Sequence, residues 1–282
     1  TDSKDVVFAE LEGQRLANCN HENIVRMYKM HMPPTLPFPG VFVFEMEYVS
    51  GGDLHLHMKR RLPHDCVLRF TRQLLNALVY LHDSKHLLHG DIKPQNILLQ
   101  CSPVHVDGSA VDYSDAEIKL ADFGLTKMLQ QQGATQSLML STMVGVMKGT
   151  QLYLSPEALH AASSGSGYER TVSDDLWSAC LVILEMDTGL TIQNILTGHG
   201  GSVRIDELLT KTSPELLPLL CSVLAVPSAA SRCSSAAELL RMLEASLDPL
   251  FIWQQFDDTL LKYASVHPAS SVFLERTFAA NE

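Results

Sequence analysis

Two short apolar runs in the middle of the chain each carry a polar cluster at one end. His89-Gly90-Asp91-Ile92-Lys93-Pro94-Gln95-Asn96 leads into Ile97-Leu98-Leu99, and Ile118-Lys119-Leu120 leads into Ala121-Asp122-Phe123-Gly124. Both runs read as strands, with a polar insertion of roughly Cys101–Ala116 between them, so the middle of the fold is β-rich and irregular. The first cluster puts an aspartate, a lysine two positions on and an asparagine five positions on into one tight loop. A carboxylate can orient a hydroxyl nucleophile and accept its proton, a lysine can neutralise a transferring phosphoryl group, and an amide oxygen can ligate Mg²⁺. Asp122 adds a second hard oxygen ligand, suited to a metal that bridges phosphates.

The flanking sequence differs on the two sides of this region. On the N-terminal side, residues 5–18 carry Val7, Phe8, Leu11 and Leu16 as a passable amphipathic helix, and Asn20-His21-Glu22-Asn23 breaks it. Ile24–Tyr28 and Val41–Tyr48 have strand composition, with Pro33, Pro34, Pro37, Pro39 and Gly40 making a turn-rich connection between them. Val67, Phe70, Leu74, Leu78 and Leu81 then place one apolar face on a helix over Asp65–Asp83. On the C-terminal side the reading is helical. Ser213-Pro214-Glu215 has the residues of a helix start, and Ser235-Ala236-Ala237-Glu238 fits a capping box. A gradient from strands to helices implies an α+β architecture in two lobes.

Composition removes several function classes. With 46% hydrophobic and 19% charged residues the balance is globular. An excess of 32 acidic over 21 basic residues gives a formal charge of −11, which argues against a broad nucleic-acid or anionic-lipid footprint. Six cysteines without CxxC spacing read as reduced thiols. With no secretory signal, they imply an intracellular chain, cytoplasmic or nuclear. The apolar run around Ala179–Met186 is too short to span a bilayer. His55, His57, His82 and His86 lack nearby ligands at metal spacing and read as surface or core histidines.

The central cluster resembles the catalytic loop H-x-D-x-K-x-x-N and the D-F-G metal motif of the eukaryotic protein kinase family. Further segments fall in family order. Glu47-Tyr48-Val49-Ser50-Gly51-Gly52-Asp53-Leu54 looks like the hinge, Gly149-Thr150-Gln151-Leu152-Tyr153-Leu154-Ser155-Pro156-Glu157 the end of the activation segment, and Asp175-Leu176-Trp177-Ser178 the start of the central C-lobe helix. The resemblance covers about residues 5 to 245. It implies a bilobal α+β fold with a helical C-lobe and an incomplete β-rich N-lobe: residues 1–48 as partial N-lobe, 49–245 as hinge and C-lobe, and 246–282 as a C-terminal helical extension.

The same resemblance implies transfer of the ATP γ-phosphoryl group to serine or threonine of a protein substrate, with Lys93 marking that specificity. Asp91 would orient the hydroxyl, Lys93 would stabilise phosphoryl charge, Thr150 would support the loop, and Asn96 and Asp122 would hold Mg²⁺. Met46 would be the gatekeeper, the backbone at Glu47 and Val49 would pair with adenine, Leu98 would pack beneath it, and Asp53 would complete the cofactor contacts. Glu12 would take the helix-C glutamate position, with Leu16, Met27, His89 and Phe123 as a stacked spine. Arg232 would pair with Glu157. His89 is read as a packing residue rather than a base.

Gly90 departs from the family, where arginine usually precedes the catalytic aspartate and binds a phosphorylated activation-loop residue. Activity independent of activation-loop phosphorylation is therefore expected, although Ser137, Ser141 and Thr142 are phosphosite candidates as readily as solubilising loop residues. No G-x-G-x-x-G stands upstream of the hinge, and the only lysine before Glu12 is Lys4. The chain is thus expected to begin inside or just before helix C and to be a poor enzyme alone. A pseudokinase scaffold that binds protein partners is the alternative. Phe251, Ile252, Trp253, Phe256, Leu260, Leu261 and Tyr263 have rough helical spacing, read as a terminal helix docked on the C-lobe, or alternatively as a partner-binding helix.

Overall fold

The computed structural model describes residues 13, 17–31, 43–58, 61–100, 113–122, 127–128, 150–190, 192 and 205–247. Two antiparallel strand pairs form its β-rich end. Strands β1 (Met27–His31) and β2 (Val43–Met46) pair with Met27 opposite Met46, and Val43, Phe44 and Met46 are exposed. After the short helix α1 (Leu54–His57) and the long helix α2 (His64–Val79), a two-residue strand β3 (Leu87–Leu88) precedes the polar loop. The second pair is β4 (Ile97–Gln100) and β5 (Glu117–Leu120), in register from Ile97 opposite Leu120 to Gln100 opposite Glu117. Strand β6 (Lys127–Met128) pairs with β3.

The expected strands over 24–28 and 41–48 are both present but shifted or shortened. Ile24 instead makes an isolated parallel bridge to Leu120. Val25 N–H donates to Leu120 O at 2.9 Å and Leu120 N–H to Asn23 O at 2.8 Å, so the backbone of 23–25 is used to extend β5 before β1 begins. The helix expected over 5–18 lies mostly outside the described residues, as do residues 248–282 and most of 101–116 and 127–150.

Helix α2 follows the apolar spacing read from the sequence: Val67, Phe70, Leu74 and Leu78 are all buried. Its last turn widens into a π-helical segment, Tyr80–Ser84, in which Lys85 N–H reaches back to Tyr80 O at 3.1 Å. The wider turn brings the consecutive residues Leu81 and His82 inside together.

The remaining helices, α3 (Pro156–Ser164), α4 (Val172–Thr188), α5 (Ile205–Leu209), α6 (Leu217–Leu224) and α7 (Ala236–Ser246), make the helical lobe with α2. Helix α4 is its axis. It is buried on nearly every face, packs on α2, α5 and α6, starts with a Thr171/Asp174 capping box and ends at Gly189, whose φ of 68° suits a residue without Cβ.

One expected boundary is corrected. Helix α6 is continuous only from Leu217, later than the expected Ser213-Pro214-Glu215 start: Ser213 O accepts from Leu216 N at 3.1 Å and Leu217 N at 3.2 Å, but Pro218 has no N–H to carry the next bond back to Pro214 O, and the Ser213 N–H and hydroxyl bond the Asp187 carboxylate at 2.7 and 2.8 Å. Among the described residues no helix is long and apolar enough to cross a membrane.

Candidate active site

Chain geometry fixes the polar loop before any side chain acts. Pro94–Asn96 form one 3₁₀ turn, with proline at its start and Asn96 N–H bonded to Lys93 O at 3.0 Å. This turn folds the loop back on itself, so three side chains from the six residues Asp91–Asn96 converge. Lys93 Nζ stands 2.6 Å from Asp91 Oδ2, and Asn96 Nδ2 donates to Asp91 O at 2.8 Å and to Asp91 Oδ2 at 2.9 Å. Both amide hydrogens of Asn96 thus go to Asp91, which makes Oδ1 the Asn96 atom that a divalent cation can take.

Asp122 is joined to this group through backbone. Ala121 N–H donates to Asn96 O at 2.8 Å, and the chain turns at Asp122 with φ of 62°, in the left-handed region. His89 Nε2 lies 3.0 Å from Ala121 O and its Nδ1 lies 3.2 Å from Asp91 N. These partners define a neutral tautomer: Nε2–H donates to the carbonyl and Nδ1 accepts from the amide. Complete burial lowers the affinity of the ring for a second proton, and the nearby Asp175, Asp91 and Asp122 carboxylates only partly offset this. With both nitrogens engaged, His89 serves as a packing and hydrogen-bonding hub, in line with the sequence reading.

Three groups that sequence reading did not assign hold the loop from behind. Asp175, at the start of α4, accepts from His89 N at 2.8 Å through Oδ2 and from Gly90 N at 2.8 Å through Oδ1. His82 from the π turn meets Oδ2 at 2.9 Å. Burial would push the Asp175 carboxyl up, but the His82 hydrogen bond and charge, with the His89 and Gly90 contributions, outweigh it and hold it below the usual carboxylate range. Arg170 donates through Nη1 to Gly90 O. Asp175 was legible as a helix start, yet nothing in its local sequence shows that it reaches a loop 85 residues away.

The expected hinge is stapled to the sheets. Glu47 N–H donates to Arg26 O at 2.8 Å, and its carboxylate takes Arg26 N at 3.1 Å and Lys119 Nζ at 2.9 Å. Gly51 N–H donates to Leu99 O and Leu99 N–H to Gly52 O, both at 2.8 Å, which sets the half-buried Leu98 beside Asp53. Val49 is buried and Met46 exposed. Asp53 Oδ1 accepts from Leu56 N at 3.0 Å and caps α1.

Arg232 and Glu157 meet at 2.9 Å, with the guanidinium 4.5 Å from the Trp177 ring centroid. Burial acts to raise the Glu157 carboxyl, but the Arg232 hydrogen bond prevails and lowers it. Thr150 begins a 3₁₀ turn, Thr150–Tyr153, and its side chain lies outside the described atoms, as do Glu12, Leu16 and Phe123 altogether. Of the remaining expected spine residues, Met27 and His89 are both buried.

A helical lobe and small strand pairs thus meet near a loop that brings together Asp91, Lys93 and Asn96. The protein kinase domain family matches residues 2–242, and the chain belongs to that family. It is 31% identical over 178 residues to the serine/threonine-protein kinase ATG1c of Arabidopsis thaliana, covering 62% of this chain and 20% of that protein. It is 32% identical over 176 residues to human serine/threonine-protein kinase ULK1, covering 62% of this chain and 14% of that protein. The dual specificity mitogen-activated protein kinase kinase mek-2 of Caenorhabditis elegans is 33% identical over 171 residues, covering 58% of this chain and 37% of that protein. The matches thus span well under half the length of these relatives.

Proposed function

We propose that this chain is the phosphotransfer domain of a protein serine/threonine kinase, moving the γ-phosphoryl group of ATP to a hydroxyl of a protein. The observation that carries the reading is the hydrogen-bonded set Asp91, Lys93 and Asn96, linked through Ala121 to Asp122. Asp91 accepts the proton of the substrate hydroxyl and orients it. Lys93, already beside that carboxylate, balances charge on the phosphoryl oxygens. Asn96 Oδ1 and the Asp122 carboxylate are hard oxygen donors and fit Mg²⁺, which when bound neutralises phosphate charge.

The hinge backbone at Glu47 and Val49 and the side chain of Leu98 would hold adenine, with Met46 as gatekeeper and the Asp53 carboxylate contributing to the nucleotide site. Glu12 and Thr150 complete the set as the helix-C glutamate and the loop-supporting hydroxyl. Residues 1–48 are assigned to the N-lobe part and 49–245 to the hinge and C-lobe; the extension expected over 246–282 lies outside the described residues from 248 on. The relatives named as serine/threonine-protein kinases, together with Lys93, support that specificity.

Gly90 supports a second reading, a kinase-like scaffold without catalysis. One comparison separates the two. In the protein at its full natural length, Asp91→Asn is expected to lower phosphoryl transfer by roughly 10²- to 10⁴-fold while the melting temperature stays within a few degrees. Transfer retained in the variant removes Asp91 from the chemistry. A wild type as silent as Asp91→Asn, with ATP and Mg²⁺ present, selects the scaffold.

A further inference from the structure

Gly90 combines two properties. Its φ of 80° lies where an L side chain is strained, so glycine is the least costly residue there. Glycine also has the widest conformational freedom of any residue, and it stands immediately before Asp91. The peptide plane between Gly90 and Asp91 must therefore be held by its hydrogen bonds. Its N–H side is held by His89 Nδ1 at 3.2 Å, and the plane before it by Asp175. Its carbonyl is held by the half-buried guanidinium of Arg170, which leads into α4 only two residues before the helix starts.

Resting on the kinase reading above, we propose that Arg170 is a positioning residue for Asp91: its charge-assisted bond to Gly90 O supplies the restraint that a glycine at this position lacks. Gly90 and Arg170 then act as one device, in which the glycine accommodates the left-handed turn and the arginine prevents the following peptide from rotating. The segment 170–175 thereby grips the loop twice, through Asp175 on the Gly90 N–H and through Arg170 on the Gly90 carbonyl.

The test uses the full-length protein with Mg·ATP and a generic basic protein substrate. Arg170→Ala is expected to lower kcat by roughly ten- to a hundredfold while KM for ATP stays within about twofold, since a displaced Asp91 misorients the hydroxyl without touching the nucleotide. Arg170→Lys, which keeps the charge and one donor, is expected to recover part of kcat. Hydrogen exchange should rise in the peptide covering 88–92 in the alanine variant and stay unchanged along α4. Unaltered kcat and unaltered exchange at 88–92 overturn the proposal, and so does a loss of kcat accompanied by faster exchange throughout α4, which marks a general folding defect. If wild type itself shows no transfer, the kinase reading fails, and the exchange arm still decides whether Arg170 restrains the loop.

Discussion

Glu185 sits inside α4 at 1% exposure, where Tyr153 Oη donates to Oε2 at 2.7 Å and Ile192 N–H to Oε1 at 2.5 Å. Burial pushes its carboxyl up to about 7, against an ordinary 4.5, although both donors pull the other way. The folded state therefore holds a proton that the unfolded state has released between those two values. Stability from this group is complete below about 4.5 and is lost as pH rises through about 7. The melting temperature is expected to decline across that window, and Glu185→Gln to flatten the decline; an equally steep decline in the variant removes Glu185 as its source. Asp175 has the opposite sign, since its depressed carboxyl gives stability that is lost as pH falls. At the residue scale, Asp91, Lys93 and Asn96 were legible because a single 3₁₀ turn brings them together. Glu185 and Arg170 were not, because their partners lie 32 and 80 residues away.

Helices α3 and α4 start at a shared junction. The buried Ser155 hydroxyl accepts from Ala158 N at 3.2 Å, which caps α3, and donates to Asp174 Oδ1 at 2.5 Å. Asp174 also takes Tyr168 Oη at 2.9 Å and Thr171 N at 2.7 Å, and burial beside this carboxylate pushes the Tyr168 phenol up to about 12. Ser155→Ala removes the cap and one bond to Asp174, so a loss of about 1–2 kcal/mol is expected in urea unfolding, with Ser155→Thr recovering most of it. A midpoint unmoved by the alanine would show that the junction does not depend on Ser155. The helix start at Ser235 is legible in the sequence because its capping bond is local: its hydroxyl accepts from Glu238 N at 3.4 Å, three residues on. At Ser213 the turn begins as expected, with Ser213 O accepting from Leu217 N, but Pro218 interrupts the ladder and the continuous helix starts at Leu217. Likewise α2 follows its apolar period, whereas that period does not show the π turn at its end, which brings Leu81 and His82 inside together.

For the molecule as a whole, the arrangement around Gly90 bears on regulation. The loop before Asp91 is held by Asp175, His89 and Arg170, all intrinsic to the fold, and Gly90 offers no side chain to bind an activation-loop phosphate. Replacing Ser137, Ser141 and Thr142 together with alanine should leave turnover within a few fold in a steady-state assay, and a collapse of turnover would mean that phosphorylation organises the site after all. The order of motifs from hinge to central helix sufficed to identify the family, which the match over residues 2–242 bears out. The sequence by itself determined which side chains share the loop and which faces are apolar, because residues that share a turn or a helix face are tied by fixed backbone periodicity. Only the tertiary structure decided that Asp175, His82 and Arg170 hold that loop, that burial raises the Glu185 carboxyl and that Ser213 is tied to Asp187. Those outcomes depend on where buried α4 and its ends sit against the rest of the lobe, and no local spacing encodes a hydrogen bond across that distance.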